Sequence, residues 1–321
     1  MELDRGEIAD LLVSIIFLLP NCTNVNIDRH FQQYFIPNYT PLPFITELSK
    51  INMLRTILVA FIFMTFSSIS QAQKGWEVGG WLGTSLYYGD LNNKINFKSP
   101  GLAGGLLGKW NFNSRVALRG SLNFGRISAD DADSDNNFNQ GRNLNFYSNV
   151  YDLTTGIEFN FLEHIRGSKF ETYTPFVFAG FSIFKYNPKA ELDGVTYSLQ
   201  EFGTEGQDIG EEYFLMSAGY TLGAGFKWDV SSDLTFGAEF TVRRVFTDYL
   251  DDVSTTFPDL ARLNAVRGAT AVSLSDRALQ DGIAIEGRQR GNSSDNDRYT
   301  FISFSLTKYF GRLECPKISK I

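Results

Sequence analysis

The 321-residue sequence carries 29 Lys and Arg against 36 Asp and Glu, a formal net charge of −7 at pH 7. Nucleic-acid binding relies on basic surfaces, so this mildly acidic chain suggests no nucleic-acid partner. Beyond residue 73 the chain contains one histidine, His164, and one cysteine, Cys315. It therefore predicts no internal disulfide and no metal site built from several soft ligands.

The segment at residues 53–72 has the pattern of a secretory signal peptide. Arg55 supplies a positive start, residues 57–66 form an apolar core, and Ser70-Gln71-Ala72 is a small-x-small cleavage site. The apolar core is too short for a helix that spans a membrane. Because a signal peptide begins a chain, we expect residues 1–52 to be an upstream extension from a mis-assigned start. The alternative is a genuine extension.

Eight later segments alternate apolar residues with small or polar ones, which predicts β-strands. Most exceed ~5–6 residues, the typical strand length of soluble proteins, and they fit transmembrane β-strands of ~9–11 residues. In Leu234–Phe246 the even positions are apolar, and we expect them to face lipid. The segments are Trp76–Tyr88, Gly101–Phe112, Arg115–Arg126, Phe146–Leu162, Tyr173–Tyr186, Tyr213–Val230, Leu234–Phe246 and Tyr299–Phe310.

The connections between these segments alternate between short and long. This pattern predicts an all-β fold over residues 73–310, an eight-stranded antiparallel transmembrane β-barrel with short periplasmic turns and long extracellular loops. A soluble lipid-carrying barrel would expose its polar face and enrich it in Lys and Glu, whereas the polar face here is mostly Gly, Ser, Thr and Asn. The protein is expected in the outer membrane of a bacterium, in contact with lipid and lipopolysaccharide.

The few charged residues on the polar face carry both signs, as an interior with paired charges requires. We expect a network in the lumen that links Arg119 and Arg243 with Glu158 and Glu239. Side chains just fill the interior of an eight-stranded barrel, which argues against a general porin. A narrow channel remains an alternative. Phe310 closes the last strand and is expected to be the terminal aromatic that barrel-assembly machinery recognises.

The long loops carry two local signals. Leu192-Asp193-Gly194-Val195 predicts a type I′ hairpin that stands above the membrane. The acidic run Asp130–Asn137 resembles the start of a calcium loop, but Arg142 occupies the position where a glutamate is needed. We expect this run to be a solvated surface loop, with calcium binding as the alternative.

The longest loop, Thr247–Arg298, holds balanced charges and an apolar spacing at Leu260, Leu263 and Val266. We predict local helix, internal ion pairs and a fold over the barrel mouth, anchored by residues 248–252. The alternative is a mobile surface loop, since loops of this length are often disordered.

Histidine is the residue on which catalysis by known outer-membrane barrel enzymes depends. His164 lies beside Glu163 in a predicted periplasmic turn, where we expect a solvated side chain. We therefore expect no catalytic, cofactor-binding or metal-binding residue, and no enzymatic activity.

Short motifs extend through the mature chain: Ile127-Ser128-Ala129-Asp130-Asp131, Glu158-Phe159-Asn160-Phe161, Thr174-Pro175-Phe176, Thr247–Ser254 and Glu314-Cys315-Pro316. Together they resemble the PorG-like outer-membrane proteins, a family otherwise labelled only as a domain of unknown function. The resemblance implies a non-enzymatic barrel that anchors periplasmic ring proteins in type IX protein secretion.

Such a secretion component would bind its partners through its periplasmic turns and through the tail at residues 311–321. The candidate tail residues are Arg312, Glu314, Cys315 and Lys317. The Cys315 thiol could pair with a partner or remain passive. The competing function is a stand-alone surface barrel whose long loops bind an external ligand or lipopolysaccharide.

Overall fold

The structure, a computed structural model, describes residues 74–92, 99–168 and 170–311. The predicted upstream extension, the signal peptide and the tail residues Arg312, Glu314, Cys315 and Lys317 lie outside the described residues.

Eight long antiparallel strands close into a barrel, as the sequence predicts. Neighbouring strands pair in chain order, and pairing of the first strand with the last closes the cylinder. The barrel strands are β1 Gly75–Tyr88, β2 Gly101–Asn111, β3 Val116–Asp130, β4 Asn145–Asn160, β5 Tyr173–Lys185, β8 Met216–Asp229, β9 Leu234–Val245 and β10 Arg298–Gly311.

The apolar face of each strand points outward. In β9, Phe236 and Phe240 are 39% and 42% exposed, whereas Thr235, Glu239 and Thr241 are buried inside. This confirms the expected facing of the even positions. Large apolar side chains such as Leu82 and Leu102 continue this exposed surface around the barrel. Water would disfavour so extensive an apolar surface, whereas the hydrocarbon core of a bilayer covers it.

Aromatic rings lie at the ends of the apolar belt. Trp76 and Trp110 contact each other on β1 and β2, with ring centroids 4.8 Å apart, and Trp228 lies at the same end on β8. Such girdles mark the two membrane interfaces. In the part of the chain that the structure describes, there is no helix long and apolar enough to span a membrane.

β1 begins and β10 ends at the side of the short turns. Gly75, the first residue of β1, pairs with Gly311 at the end of β10 and with Asn111, which precedes a short turn. β3 extends furthest beyond its predicted bounds, past Arg126 to Asp130, because β4 supplies a pairing partner as far as Asn145. The predicted end was therefore wrong by four residues. Beyond the membrane, a strand continues for as long as a neighbouring strand pairs with it. The periodicity of one segment does not contain this information.

The extracellular loops contain regular structure of their own. The predicted hairpin is confirmed: β6 Pro188–Leu192 and β7 Val195–Ser198 pair around Asp193 and Gly194, whose φ angles of 52° and 77° fit a type I′ turn. The helices are α1 Asn137–Arg142, α2 Leu260–Arg267 and α3 Ala269–Ser275. The predicted helix in the longest loop is thus confirmed.

Candidate functional site

The middle of the barrel lumen contains a buried cluster of charges. Arg119 lies 2.7 Å from Glu239 and 3.5 Å from Glu158. Glu158 also contacts Lys109, at 2.9 Å, and Lys227. All five side chains are at most 8% exposed. The structure therefore brings three of the four predicted lumen residues together and adds two lysines.

The predicted link from Arg243 to this cluster was wrong. Arg243 donates to Asp152 at 2.5 Å, and its guanidinium lies 4.2 Å from the Phe301 ring centroid. The physical reason is distance along the strand. Arg243 follows Glu239 by four residues on β9, which separates the two by ~13 Å at the usual rise per residue. The lumen consequently has two separate charged layers.

A third charged layer closes the periplasmic end. The turn between β4 and β5 folds inward, and Arg166 contacts Glu77 at 2.5 Å and also Asp229. His164 Nε2 lies 3.0 Å from Asp229, and the side chain is 3% exposed. The expectation of a solvated histidine was therefore wrong. Burial lowers the pKa of His164, which keeps the ring neutral at neutral pH.

Aromatic side chains fill the upper lumen and join it to the extracellular loops. Tyr299 and Phe301 on β10 contact each other, and Tyr299 contacts Phe184 on β5. Above them, Leu250 and Leu274 from the longest loop belong to the same buried cluster. The described residues of 89–100, 131–144, 186–215 and 246–297 form one structure over the mouth, which we call the extracellular cap.

A group of buried carboxyls holds the cap to the barrel rim. The Tyr87 hydroxyl at the end of β1 donates to Asp251 at 2.5 Å, and the same oxygen lies within hydrogen-bond distance of Asp297, at 2.9 Å. The Leu250 amide donates to the other oxygen of Asp297 at 2.9 Å. Burial, together with neighbouring carboxylates, raises the pKa of Asp251 and of Asp297 well above the ordinary value. Residues 248–252 therefore anchor the loop as predicted.

Three further carboxyls lie in the same layer. Burial raises the pKa of Asp248 to about 7. Burial also raises the pKa of Asp90 and of Asp252 to about 6. Asp252 accepts hydrogen bonds from Tyr213 at 2.6 Å and from Thr204 at 2.5 Å. The raised pKa values favour the protonated form of these carboxyls, and a neutral carboxyl costs less to bury beside other acidic groups than a carboxylate does.

Ion pairs in the cap connect different loops. Arg290 lies 3.2 Å from Glu205, and Arg267 lies 2.6 Å from Glu212. We expected internal pairs within 247–298, and most of the pairs instead join this loop to residues 187–212. The reason is that the two loops emerge on either side of the β8–β9 hairpin and pack against each other.

The acidic run at the end of β3 was expected to be a solvated surface loop, but part of it is buried in the extracellular cap. Asp131 is fully buried and forms a bidentate pair with Arg142, with both distances 2.7 Å. The arginine at the twelfth position thus supplies the positive charge that a calcium ion would otherwise provide. Among the described residues, no group of three Asp, Glu, His or Cys side chains is placed to hold a metal ion.

The fold and its surfaces define the class of protein: an outer-membrane β-barrel with eight transmembrane strands, a filled lumen and a folded extracellular cap. Residues 55–268 match the family described as a domain of unknown function, DUF6089, and the chain belongs to that family. No curated protein matches the sequence.

Several solved structures are similar in fold. Neisserial surface protein A is 10% identical with a TM-score of 0.39, over 74% of this chain and 97% of that chain. OprG from Pseudomonas aeruginosa is 8% identical with a TM-score of 0.39, over 75% and 98%. Ail of Yersinia pestis, in complex with the heparin analogue sucrose octasulfate, is 11% identical with a TM-score of 0.35, over 75% and 100%.

Sequence reasoning predicted residues 248–252 as an anchor but missed their partners Tyr87 and Asp297, and it missed Arg166 at the periplasmic end. Arg166 in the periplasmic layer lies in a turn, where alternation gives no direction for a side chain, whereas its partner Asp229 continues the polar face of β8. The carboxyl layer has a clearer signal, because Asp248, Asp251, Asp252 and Asp297 bracket the longest loop at the ends of β9 and β10. Acidic residues at both ends of one loop meet where its strands pair.

Proposed function

We propose that this protein is a non-enzymatic barrel that presents its extracellular cap to a ligand outside the cell. The proposal depends on the observation that ion pairs and hydrogen bonds join the long loops into one folded unit. Arg290, for example, contacts Glu205 from another loop and donates to the Asp252 carbonyl at 2.7 Å. A preorganised surface loses little conformational entropy on binding, which favours recognition.

The filled lumen supports binding rather than transport. Charged layers occupy the middle and the periplasmic end, and aromatic rings occupy the upper end. Ions would have to displace buried, paired charges to cross, at a cost of several kcal/mol for each charge left without a partner.

The second candidate is the role in type IX secretion that the sequence resemblance implies. The observation that favours it is a built periplasmic end: Arg166 fixes the turn between β4 and β5, and Phe170 beside it is 86% exposed. An exposed aromatic close to a turn residue that is held by ion pairs suits a contact with a periplasmic ring protein.

One cross-linking experiment separates the two candidates. A photoreactive amino acid is placed in living cells at Leu279 or Ile285 in the cap, which are 70% and 54% exposed, or at Phe170. Binding outside the cell predicts saturable adducts with cell-surface or added external molecules from the cap positions. Adducts from Phe170 alone, to periplasmic proteins, would contradict it and support secretion. Leu82, which faces lipid, is the control position.

A further inference from the structure

A polar pocket of about 410 Å³ opens in the extracellular cap. Three segments form its walls: the turn after β1, helix α1, and the end of the longest loop. Its side chains are mainly amides and guanidinium groups, with a single aromatic ring. The residues that line the pocket include Asn136, Phe138, Asn139, Arg288, Gln289 and Asn292.

Hydrogen bonds between the three segments fix the pocket. Arg142 on α1 donates to the Asp90 carbonyl at 3.2 Å and also to the Arg290 carbonyl. The backbone N–H of Asn292 donates to the Asp90 carboxylate at 2.9 Å, and the Asn139 side chain donates to the Asp90 carbonyl at 3.4 Å. The walls therefore hold their positions without a ligand, as most small-molecule sites do.

The charges around the pocket are largely neutralised by partners outside it. Arg142 is paired with Asp131, and Arg290 is paired with Glu205. Arg288 remains exposed, and its guanidinium lies 4.9 Å from the Phe138 ring centroid. The pocket thus presents amide groups, one stacked arginine–aromatic pair and little net charge.

We propose that this pocket binds a carbohydrate. Amide side chains both donate to and accept from the hydroxyls of a sugar, guanidinium groups donate to them, and an aromatic face packs on the C–H groups of the sugar. The lining does not suit a lipid chain, because Phe138 is its only large apolar side chain. Arg288 would accommodate an acidic substituent, since guanidinium recognises carboxylate and phosphate in bidentate fashion. The inference rests on the proposed function and specifies its ligand.

Binding is measured on the full-length barrel in detergent micelles by titration calorimetry. The titrated probes are smooth lipopolysaccharide from the producing bacterium, its deep-rough form without outer sugars, and the polysaccharide released from it by mild acid. A printed array of neutral and acidic oligosaccharides is probed separately with the labelled barrel, and the sugars that bind are then titrated. We expect saturable binding to at least one sugar-bearing probe. Preference for smooth over deep-rough lipopolysaccharide would identify the cell's own glycan. Binding only on the array would identify an external one.

The variants Phe138→Ala and Arg288→Ala should weaken the Kd about tenfold or more. Matched controls are Phe214→Ala and Arg262→Ala, which alter an exposed aromatic and an exposed arginine elsewhere on the cap. Heat-modifiable migration in SDS gels checks that each variant has folded. Gln289→Ala, which leaves the stacked pair intact, is a second pocket variant with an intermediate loss expected.

Two results would overturn the carbohydrate site: no saturable binding to any probe, or binding that Phe138→Ala and Arg288→Ala leave unchanged. If cap cross-linking still detects an external protein partner in that case, the pocket assignment fails and the proposed function stands. If the cap positions also yield no external adduct, both fail.

Discussion

At the scale of single residues, the barrel depends on charges that are buried in pairs. Glu158 alone contacts three cations, Lys109, Arg119 and Lys227, and is fully buried. Taking a charge out of water is costly, so each charge in such a cluster stays buried only because the opposite charges around it offset that cost. This arrangement makes the middle of the lumen sensitive to the loss of one carboxylate.

Glu158→Gln should lower the free energy of unfolding by about 3–5 kcal/mol, because buried Lys109 and Lys227 lose their anionic partner and Arg119 loses the more distant of its two. Urea titration in detergent micelles measures the change. The control is Lys308→Ala, which breaks a largely exposed 3.7 Å pair with Asp233 and should cost at most about 1 kcal/mol. A double variant with Lys227→Met should recover part of the loss. Equal effects of the two single variants would contradict a dry cluster.

The outward face is sensitive in a different way. Phe240→Arg places a charge at the middle of β9 against lipid and should cost about 2–4 kcal/mol. Phe246, 57% exposed just beyond the end of β9, is the matched site, and Phe246→Arg should cost only about 0–1 kcal/mol. Both are measured by reversible unfolding in lipid vesicles. The facing would be refuted if the variant at the strand end were the less stable one.

At the scale of elements, the short helices of the extracellular cap are stabilised by side chains that accept hydrogen bonds from the first backbone amides of the helix. Asp259 precedes α2 and accepts hydrogen bonds from the Ala261 amide at 2.8 Å and the Arg262 amide at 3.2 Å. Asp259→Ala should therefore destabilise α2 by about 0.5–2 kcal/mol. Hydrogen exchange of the amides in residues 260–267 should become faster. Asp281→Ala, at an exposed position outside any helix, should leave that exchange unchanged.

The carboxyl layer makes the attachment of the cap depend on pH. The pKa of Asp248 is raised to about 7, and the pKa of both Asp90 and Asp252 is raised to about 6. The closed cap therefore holds protons that an opened cap would release. Its stability is fully present below about pH 4, the ordinary carboxyl pKa, and declines as the pH rises through 6 to 7.

Hydrogen exchange of residues 247–256, corrected for the intrinsic pH dependence of exchange, should show more opening at pH 7 than at pH 5. One proton released on opening corresponds to up to about tenfold per pH unit. Asp248→Asn mimics the protonated carboxyl and should reduce this slope, whereas Asp281→Asn should not. A slope of opposite sign would mean that the carboxyls are ionised in the closed cap.

At the scale of the whole molecule, three charged layers, an aromatic layer and the cap occupy the axis of the barrel. We expect purified protein in planar bilayers to show little or no conductance, because paired charges and aromatic rings fill the lumen. Glu158→Ala combined with Lys227→Ala and Arg119→Ala should raise conductance if this layer is the barrier. A stable pore of porin size in the unaltered protein would refute the filled lumen.

The alternation of residues by itself determined the strand number, the facing and the sidedness of the barrel. Period-two patterns such as that of Leu234–Val245 place each residue on one of two faces, and only one of these faces is compatible with lipid. The short and long connections then assign the two ends. For the same reason the sequence identified Arg119, Glu158 and Glu239 as inward residues before any contact was known.

Only the tertiary structure decided which inward residues meet. Arg243 shares a face with Glu239, yet it pairs with Asp152 because strand tilt and register set the layer that each residue occupies. His164 and Arg166 lie in a turn, where no period fixes direction, and only folding shows that they enter the lumen. The carboxyl layer likewise joins residues more than 150 positions apart, such as Tyr87 and Asp251. Contacts at that separation follow from barrel closure, which no local pattern encodes.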